Sequence, residues 1–264
     1  MSENVLAFRD ISFGYGERKL FEGFSLAIPE GGITAVLGPN GCGKSTLFSL
    51  AEGMLKPSCG TVLLSGTDTH ALSPKERAGL IAMLPQVHRT PSMKVRDLVA
   101  CGRYVHMGPF GQLDKADWDK VDEAIYLMGL DSLAERNARK LSGGERQRAF
   151  LAMTVAQGAR TLLLDEPTTY LDVRAAHDLM ALVRKLAGDK GITVICVIHD
   201  VDLALRFSDS IVVLGSERPT CLLSTGTPDA IAESTVLASS LGVRAKRFSD
   251  GGETAYGIFP ANRA

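Results

Sequence analysis

One segment constrains the fold more than any other: Ile33-Thr34-Ala35-Val36-Leu37 running into Gly38-Pro39-Asn40-Gly41-Cys42-Gly43-Lys44-Ser45-Thr46. The first five residues read as a short apolar strand of the kind covered on both faces in a parallel sheet. The next nine satisfy G-x-x-x-x-G-K-[ST], and a helix is expected from about Lys44. Glycines let the backbone bend until successive N–H groups point inward, which makes a cradle for phosphate oxygens. The helix behind the loop adds its positive N-terminal end. Lys44 then supplies a point charge to β- and γ-phosphates, and the Ser45 hydroxyl is placed to reach Mg2+.

Strand and helix signals alternate around this segment. Leu6–Ile11 and Gly23–Ile28 read as strands joined by a turn at Gly14–Glu17. Thr61–Leu64 and Ile81–Leu84 are further strands, and Ser73-Pro74-Lys75-Glu76 between them is a helix start with Ser as cap and Pro in the first position. From Val95 to Gly158 strand signals nearly vanish. Over Asp114–Met128, Ala116, Trp118, Val121, Ile125 and Met128 recur near the helical repeat. Strands return at Thr161–Leu164, Thr193–Ile198 and Ser210–Leu214. A helix is expected over Val173–Leu186, with Ala175, Leu179, Leu182 and Leu186 on one face. The pattern predicts an α/β core of parallel strands interrupted by a helical insertion. In the tail, Cys221–Ser224 reads as a hairpin strand, a short helix is expected near Pro228, Gly251-Gly252 suggests a turn and Ala255–Phe259 a last strand.

Two further segments carry chemistry. Leu162-Leu163-Leu164-Asp165-Glu166 is an apolar strand ending in two acids, at the edge where α/β sheets bind ligands. Asp165 is the expected Mg2+ partner, and Glu166 the group that orients and deprotonates an attacking water. Leu141-Ser142-Gly143-Gly144-Glu145 opens a helix with Ser142 as N-cap and Glu145 completing a capping box. Its adjacent glycines also make a second open anion site. Two phosphate-binding helix ends in one chain make sense if Ser142, Gly143 and Gly144 serve the ATP of a partner molecule.

Composition excludes some alternatives. A formal net charge of -1 gives no excess of Lys and Arg to displace counterions, so no nucleic-acid partner is expected. No apolar run approaches the roughly 18 residues of a spanning helix, and the N-terminal residues lack the pattern of a signal peptide. The scattered cysteines, Cys42, Cys59, Cys101, Cys196 and Cys221, are expected to be reduced thiols.

Taken in order, Gly38–Thr46, Gln86, Leu141–Glu145, Leu162–Glu166, Tyr170-Leu171-Asp172 and His199 resemble the motif series of the ATP-binding-cassette ATPases over nearly the whole chain. The resemblance implies a P-loop NTPase fold of the ABC ATPase type, with a RecA-like core, an N-terminal antiparallel β subdomain and an α-helical insertion subdomain. It implies a nucleotide-binding domain over residues 1–240, with the insertion at about 88–158, and an extension over 241–264. ATP and Mg2+ are the implied ligands. Tyr15 matches the aromatic that stacks on adenine, Gln86 the sensor of γ-phosphate and Mg2+, Asp172 an interface residue, and His199 the group that hydrogen-bonds the γ-phosphate and steadies Glu166. The pattern departs from the commonest form at Glu145, where Gln is usual, and at Tyr170, where a small residue is common.

Finer likenesses point to one branch of the family. Arg148–Met153, Pro167–Asp172, His177–Met180, Val95–Val99 and Cys101–Tyr104 look like the ATPases of iron-siderophore, haem and vitamin B12 importers. That likeness implies a homodimer at the cytoplasmic face of a membrane. Its partners would be an integral-membrane permease and, indirectly, an extracytoplasmic solute-binding protein. Iron(III)-siderophore is the first expectation for cargo. A haem or vitamin B12 importer, another transporter and a non-transport cassette protein stay open.

Overall fold

The computed structural model describes residues 4–86, 89–107, 111–215, 217–250 and 253–261. The chain forms two compact units, Met1–Ala71 with Thr193–Ala264, and Leu72–Ile192.

The first unit begins with β1 (Asn4–Tyr15) and β2 (Arg18–Pro29), an antiparallel pair. Both strands run longer than the sequence suggests, and the turn shrinks to Gly16 and Glu17. Register shifts on either side of Ile11 let β1 continue past Asp10. Asp10 sits in the left-handed region at φ 48°, with its N–H donated to Ser25 Oγ at 2.9 Å. Leu6, Phe8 and Ile11 face Phe24, Leu26 and Ile28 in a buried layer. Next come β3 (Ile33–Leu37), α1 (Lys44–Ala51), β4 (Cys59–Leu64) and β5 (Thr67–Asp68). β4 pairs antiparallel with β1 and with β5. Every residue of β3 is buried, as its apolar run predicts. The strand is pinned at its start, where Thr193 Oγ1 accepts from Gly31 N and Asp209 Oδ2 from Ile33 N, both at 2.8 Å.

The second unit contains α2 (Pro74–Leu80), β6 (Ile81–Leu84), α3 (Val95–Ala100), α4 (Lys115–Leu127), α5 (Gly143–Ala156), β7 (Thr161–Asp165) and α6 (Val173–Lys190). Ser73 and Glu76 make a full capping box at the head of α2. β6 and β7 are parallel, Ile81 opposite Thr161 and Leu84 opposite Leu164. The helices α3, α4 and α5 pack together, and the insertion read from the fading of strand signals is present. Two helix faces differ from expectation by about one residue. In α6 the buried stripe is Ala176, Leu179, Met180, Val183, Leu186 and Ala187, while Ala175 and Leu182 lie at its margin. In α4, Ala116 is exposed and its neighbour Asp117 is buried. The reason is a partner far along the chain: Asp117 Oδ1 accepts from Arg103 Nε at 2.9 Å. Burial pushes the Asp117 carboxyl up, but the Arg103 bond, the Asp114 N–H and the Arg103 charge outweigh it, so the group stays below its ordinary value.

The chain then returns to the first unit through β8 (Thr193–Val197), α7 (Val201–Phe207), β9 (Ser210–Leu214), β10 (Leu222–Gly226), α8 (Pro228–Glu233) and α9 (Val236–Leu241). β3 lies between β8 and β9, parallel to both, and β10 closes the edge antiparallel to β9. The final segment is more regular than its sequence suggests: β11 (Val243–Asp250) and β12 (Glu253–Pro260) form a hairpin against α7, α8 and α9. The turn expected at Gly251-Gly252 lies outside the described residues. Asp229 ties the hairpin down, accepting from Tyr256 Oη at 2.6 Å and pairing with Arg247 at 3.2 Å. Burial, and then the Asp229 bond, push the Tyr256 phenol up to about 12.

Candidate functional site

In the first unit, the loop between β3 and α1 has a backbone that only glycine allows. Gly43 stands at φ 97° as the residue before α1. A Cβ there would sit 2.7 Å from Phe21 Cζ and 3.1 Å from Leu20 Cδ2. A Cβ on Gly38 would meet Cys42 Sγ at 2.8 Å. Gly41 is left-handed at φ 77°, and the nearest atom to a Cβ there is Arg218 Nη2 at 3.9 Å. Lys44 is buried, its Nζ donating to Gly38 O at 2.8 Å and Pro39 O at 3.0 Å. The loop's own carbonyls thus hold the ammonium against the loop backbone. Pro39 is half-buried, Asn40 and Ser45 are exposed, and Thr46 is half-buried. No acidic residue occupies the first turn of α1, so nothing there opposes an anion at its positive end. Burial pushes the Cys42 thiol up, against the pull of the nearby Lys44 charge; Cys42 is a packing group here rather than a nucleophile. The Thr220 hydroxyl, donating to Cys42 O at 2.9 Å, buttresses the loop from across the unit. Nothing in the sequence marks Thr220, because its role depends on where β10 begins.

Tyr15 is not a hairpin core residue. Its side chain is 56% exposed. It stands edge-on to Phe13, with ring centroids 5.1 Å apart, and its hydroxyl lies 3.4 Å from Thr46 Oγ1. The ring is therefore exposed beside the loop. His199 follows β8 and is exposed, and the next residue, Asp200, caps α7.

In the second unit, Gln86 stands just past β6 and is exposed, and Asp165 is the buried last residue of β7. Glu166 follows in the left-handed region at φ 52°. Gln86 Nε2 donates to Glu166 Oε2 at 2.5 Å, and Thr169 Oγ1 donates to the same oxygen at 3.1 Å. The structure thus joins Gln86 to Glu166 and adds Thr169, to which the sequence reading gave no role. The signal was present in the spacing, because a hydroxyl three residues after an acid in a tight turn can reach back to it. Tyr170 is also left-handed, at φ 66°, and 94% exposed. Asp172 is committed as the cap of α6, accepting from Ala175 N at 2.8 Å.

Ser142 caps α5 in the expected box: Ser142 N donates to Glu145 Oε2 at 2.8 Å and Glu145 N to Ser142 Oγ at 3.3 Å. The two Ser142 bonds, backbone first, hold the Glu145 carboxyl below its ordinary value. A glutamine, the commoner residue at this position, offers the same side-chain oxygen to the Ser142 N–H, so the departure leaves the capping box intact. A cleft of about 350 Å³ is lined by Gln86, Gly143, Arg146, Glu166, Thr169 and Tyr170. It places the acid, its two donors and the glycine helix start around one polar space.

The first unit thus carries a buried strand, a glycine loop and a buried lysine at a helix start, the parts of a phosphate-binding loop. The family model described as ABC transporter matches residues 21–169. The iron(3+)-hydroxamate import ATP-binding protein FhuC of Bacillus subtilis (strain 168) is 41% identical over 80% of this chain and 79% of its own length. The ferric enterobactin transport ATP-binding protein FepC of Escherichia coli (strain K12) is 37% identical over 95% of this chain and 92% of its own. Among solved structures, a chain of a metal-chelate type ABC transporter in an inward-facing conformation superposes with TM-score 0.84 at 25% identity, covering 98% of both chains. The chain belongs to the ABC transporter family, and its fold is that of the family's ATPases: an α/β core, an antiparallel N-terminal sheet and a helical insertion.

Proposed function

We propose that this chain is the ATP-binding and ATP-hydrolysing subunit of an importer for iron(III)-siderophore complexes. The observation that carries the cargo is the pair of relatives above, one named for iron(3+)-hydroxamate import and the other for ferric enterobactin transport. No helix among the described residues is long and apolar enough to cross a membrane. The reading places the chain as a peripheral subunit on the cytoplasmic face, driving an integral-membrane permease that a solute-binding protein feeds from outside. Residues 1–240 are the nucleotide-binding domain, with the insertion at about 88–158, and 241–264 an extension.

The proposed work of each residue follows from its chemistry. The Gly38–Thr46 backbone and Lys44 bind the phosphates of ATP, and Tyr15 stacks on the adenine. Ser45, Gln86 and Asp165 offer hydroxyl, amide and carboxylate oxygens, the hard donors that suit Mg2+. When bound, Mg2+ neutralises charge on the phosphates. Glu166 orients the attacking water and takes its proton, and His199 steadies the γ-phosphate. Ser142, Gly143 and Gly144 complete the site of a second copy of the chain, so that two chains close on two ATP molecules.

The direct test is uptake of ferric siderophore by cells lacking their own ATPase for that transporter. The parent chain restores uptake and Lys44→Ala does not. Restored uptake of free metal ion or haem, with none of ferric siderophore, would replace the cargo.

A further inference from the structure

Glu166 must do more than exist near ATP. A glutamate has three side-chain torsions, and a base that activates water works only when one oxygen is held at the right place. Gln86 supplies one restraint, but it is exposed and stands just past the end of a strand. Thr169 is different in kind. It lies in the same tight turn as Glu166, closed by Thr169 N donating to Glu166 O and Leu171 N to Thr168 O, both at 3.2 Å. Its β-branched side chain has few rotamers, and it is half-buried. Its hydroxyl and the Gln86 amide meet on the same oxygen, Oε2. Two donors on one oxygen fix the last torsion of Glu166 and therefore define where Oε1 lies.

We infer that Thr169 is a positioning residue for Glu166: its hydroxyl fixes the carboxylate's orientation independently of Gln86. The turn carries Thr169 with Glu166, so their bond persists through any displacement of Gln86. The consequence is a base that stays oriented while the amide beside it changes partners. This rests on the assignment of Glu166 as the water-activating group.

The test uses the full chain with Mg·ATP and the variants Thr169→Val and Thr169→Ser. Valine keeps the shape and the turn but has no donor; serine keeps the donor. Thr169→Val lowers kcat by about tenfold or more, as expected for a misplaced reacting group. It leaves KM and the calorimetric ATP affinity within about twofold, and Thr169→Ser restores kcat to within about twofold. A crystal structure of Thr169→Val shows the Glu166 carboxylate turned from its position in the parent. In a Glu166→Gln background, Thr169→Val causes no further loss. Parent-level kcat for Thr169→Val, or a Thr169→Ser variant as slow as the valine, overturns the inference. Parent-level turnover by Glu166→Gln instead overturns the assignment of Glu166 itself, so the two failures are distinguishable.

Discussion

The loop Gly38–Thr46 and the segment Glu166–Leu171 solve the same problem in opposite ways. Both must hold polar groups in unusual backbone geometry. The first uses glycine wherever the chain is left-handed, at Gly41 and Gly43, and buries its lysine on its own carbonyls. The second puts Glu166 and Tyr170, both with side chains, in the left-handed region. That conformation costs about 1–2 kcal/mol for an L-residue, offset here by turn hydrogen bonds and by bonds to the Glu166 carboxylate. The loop is built for a fixed shape. The acid's segment carries strain at the point where a reacting side chain has to project. Strain of this kind concentrates where function over-determines the backbone.

The contrast predicts different failures in the two regions. The largest effect should come from Glu166→Gln, which is expected to lower ATP turnover by about 100- to 10,000-fold while leaving ATP affinity near the parent value. Lys44→Ala should instead weaken ATP binding, by about 10- to 100-fold, from loss of a charge-assisted contact. Calorimetry and steady-state hydrolysis separate the two. If both variants lose affinity equally, the division of labour between the regions is wrong.

Backbone substitutions come next. Gly43→Ala places a methyl group 2.7 Å from Phe21 Cζ at φ 97° and should cost about 1–3 kcal/mol of stability. Tyr170→Gly relieves a left-handed tyrosine with an exposed side chain, and the relief roughly offsets glycine's greater unfolded-state freedom, so stability should change by no more than about 1 kcal/mol. Denaturant melts should therefore shift for Gly43→Ala and stay close to the parent for Tyr170→Gly. A Tyr170→Gly variant as unstable as Gly43→Ala would show that the second region is not strained.

The supports behind the two regions differ in their response to acid. The loop is braced by the Thr220 hydroxyl, which does not titrate in the ordinary range. The helical insertion beside the second region rests on the Arg103–Asp117 pair, with side chains 13% and 11% exposed. Asp117 is held below its ordinary value, so the stability it adds is present above an unfolded value of about 3.9 and lost as pH falls through its folded value. Asp117→Asn should be less stable than the parent at pH 7 by about 1–3 kcal/mol. The gap should close below about pH 4. A gap that stays constant down to pH 2 would contradict the ionic reading. The smallest effect concerns Tyr15: Tyr15→Phe should bind ATP as the parent does, and Tyr15→Ala about tenfold more weakly, from loss of stacking area.

This same contrast explains what was legible in the amino-acid sequence. The loop is readable because its geometry demands glycine at fixed spacing, and β3 because five buried residues leave no polar face. The Ser73 cap and the Ser142 capping box are local, and both are present. What escaped reading depends on distant partners. Asp117 stands outside the apolar repeat read over Asp114–Met128, and its burial follows from a partner, Arg103, that the repeat does not show. Thr220 acts only through the fold. Thr169 has a readable spacing from Glu166, but a threonine hydroxyl bonds as readily to nearby backbone, so its partner is set by the fold. The extent of β1 escaped because a bulged strand carries a left-handed residue, Asp10, where a turn would be expected.

The central proposal is that each ATP site combines the phosphate loop of one chain with the Ser142–Gly144 helix start of another. It is tested most directly by mixing two inactive variants, Lys44→Ala and Gly143→Glu. A side chain at Gly143 has room, the nearest atom to its Cβ being Leu171 Cδ2 at 4.0 Å, and its charge would repel phosphate. In a mixed dimer both defects fall in one site and the other site is intact. Equal mixtures should therefore hydrolyse ATP at a rate that neither variant reaches alone. Mixtures as inactive as their components at every ratio, under conditions where mixed dimers form, would contradict the shared site.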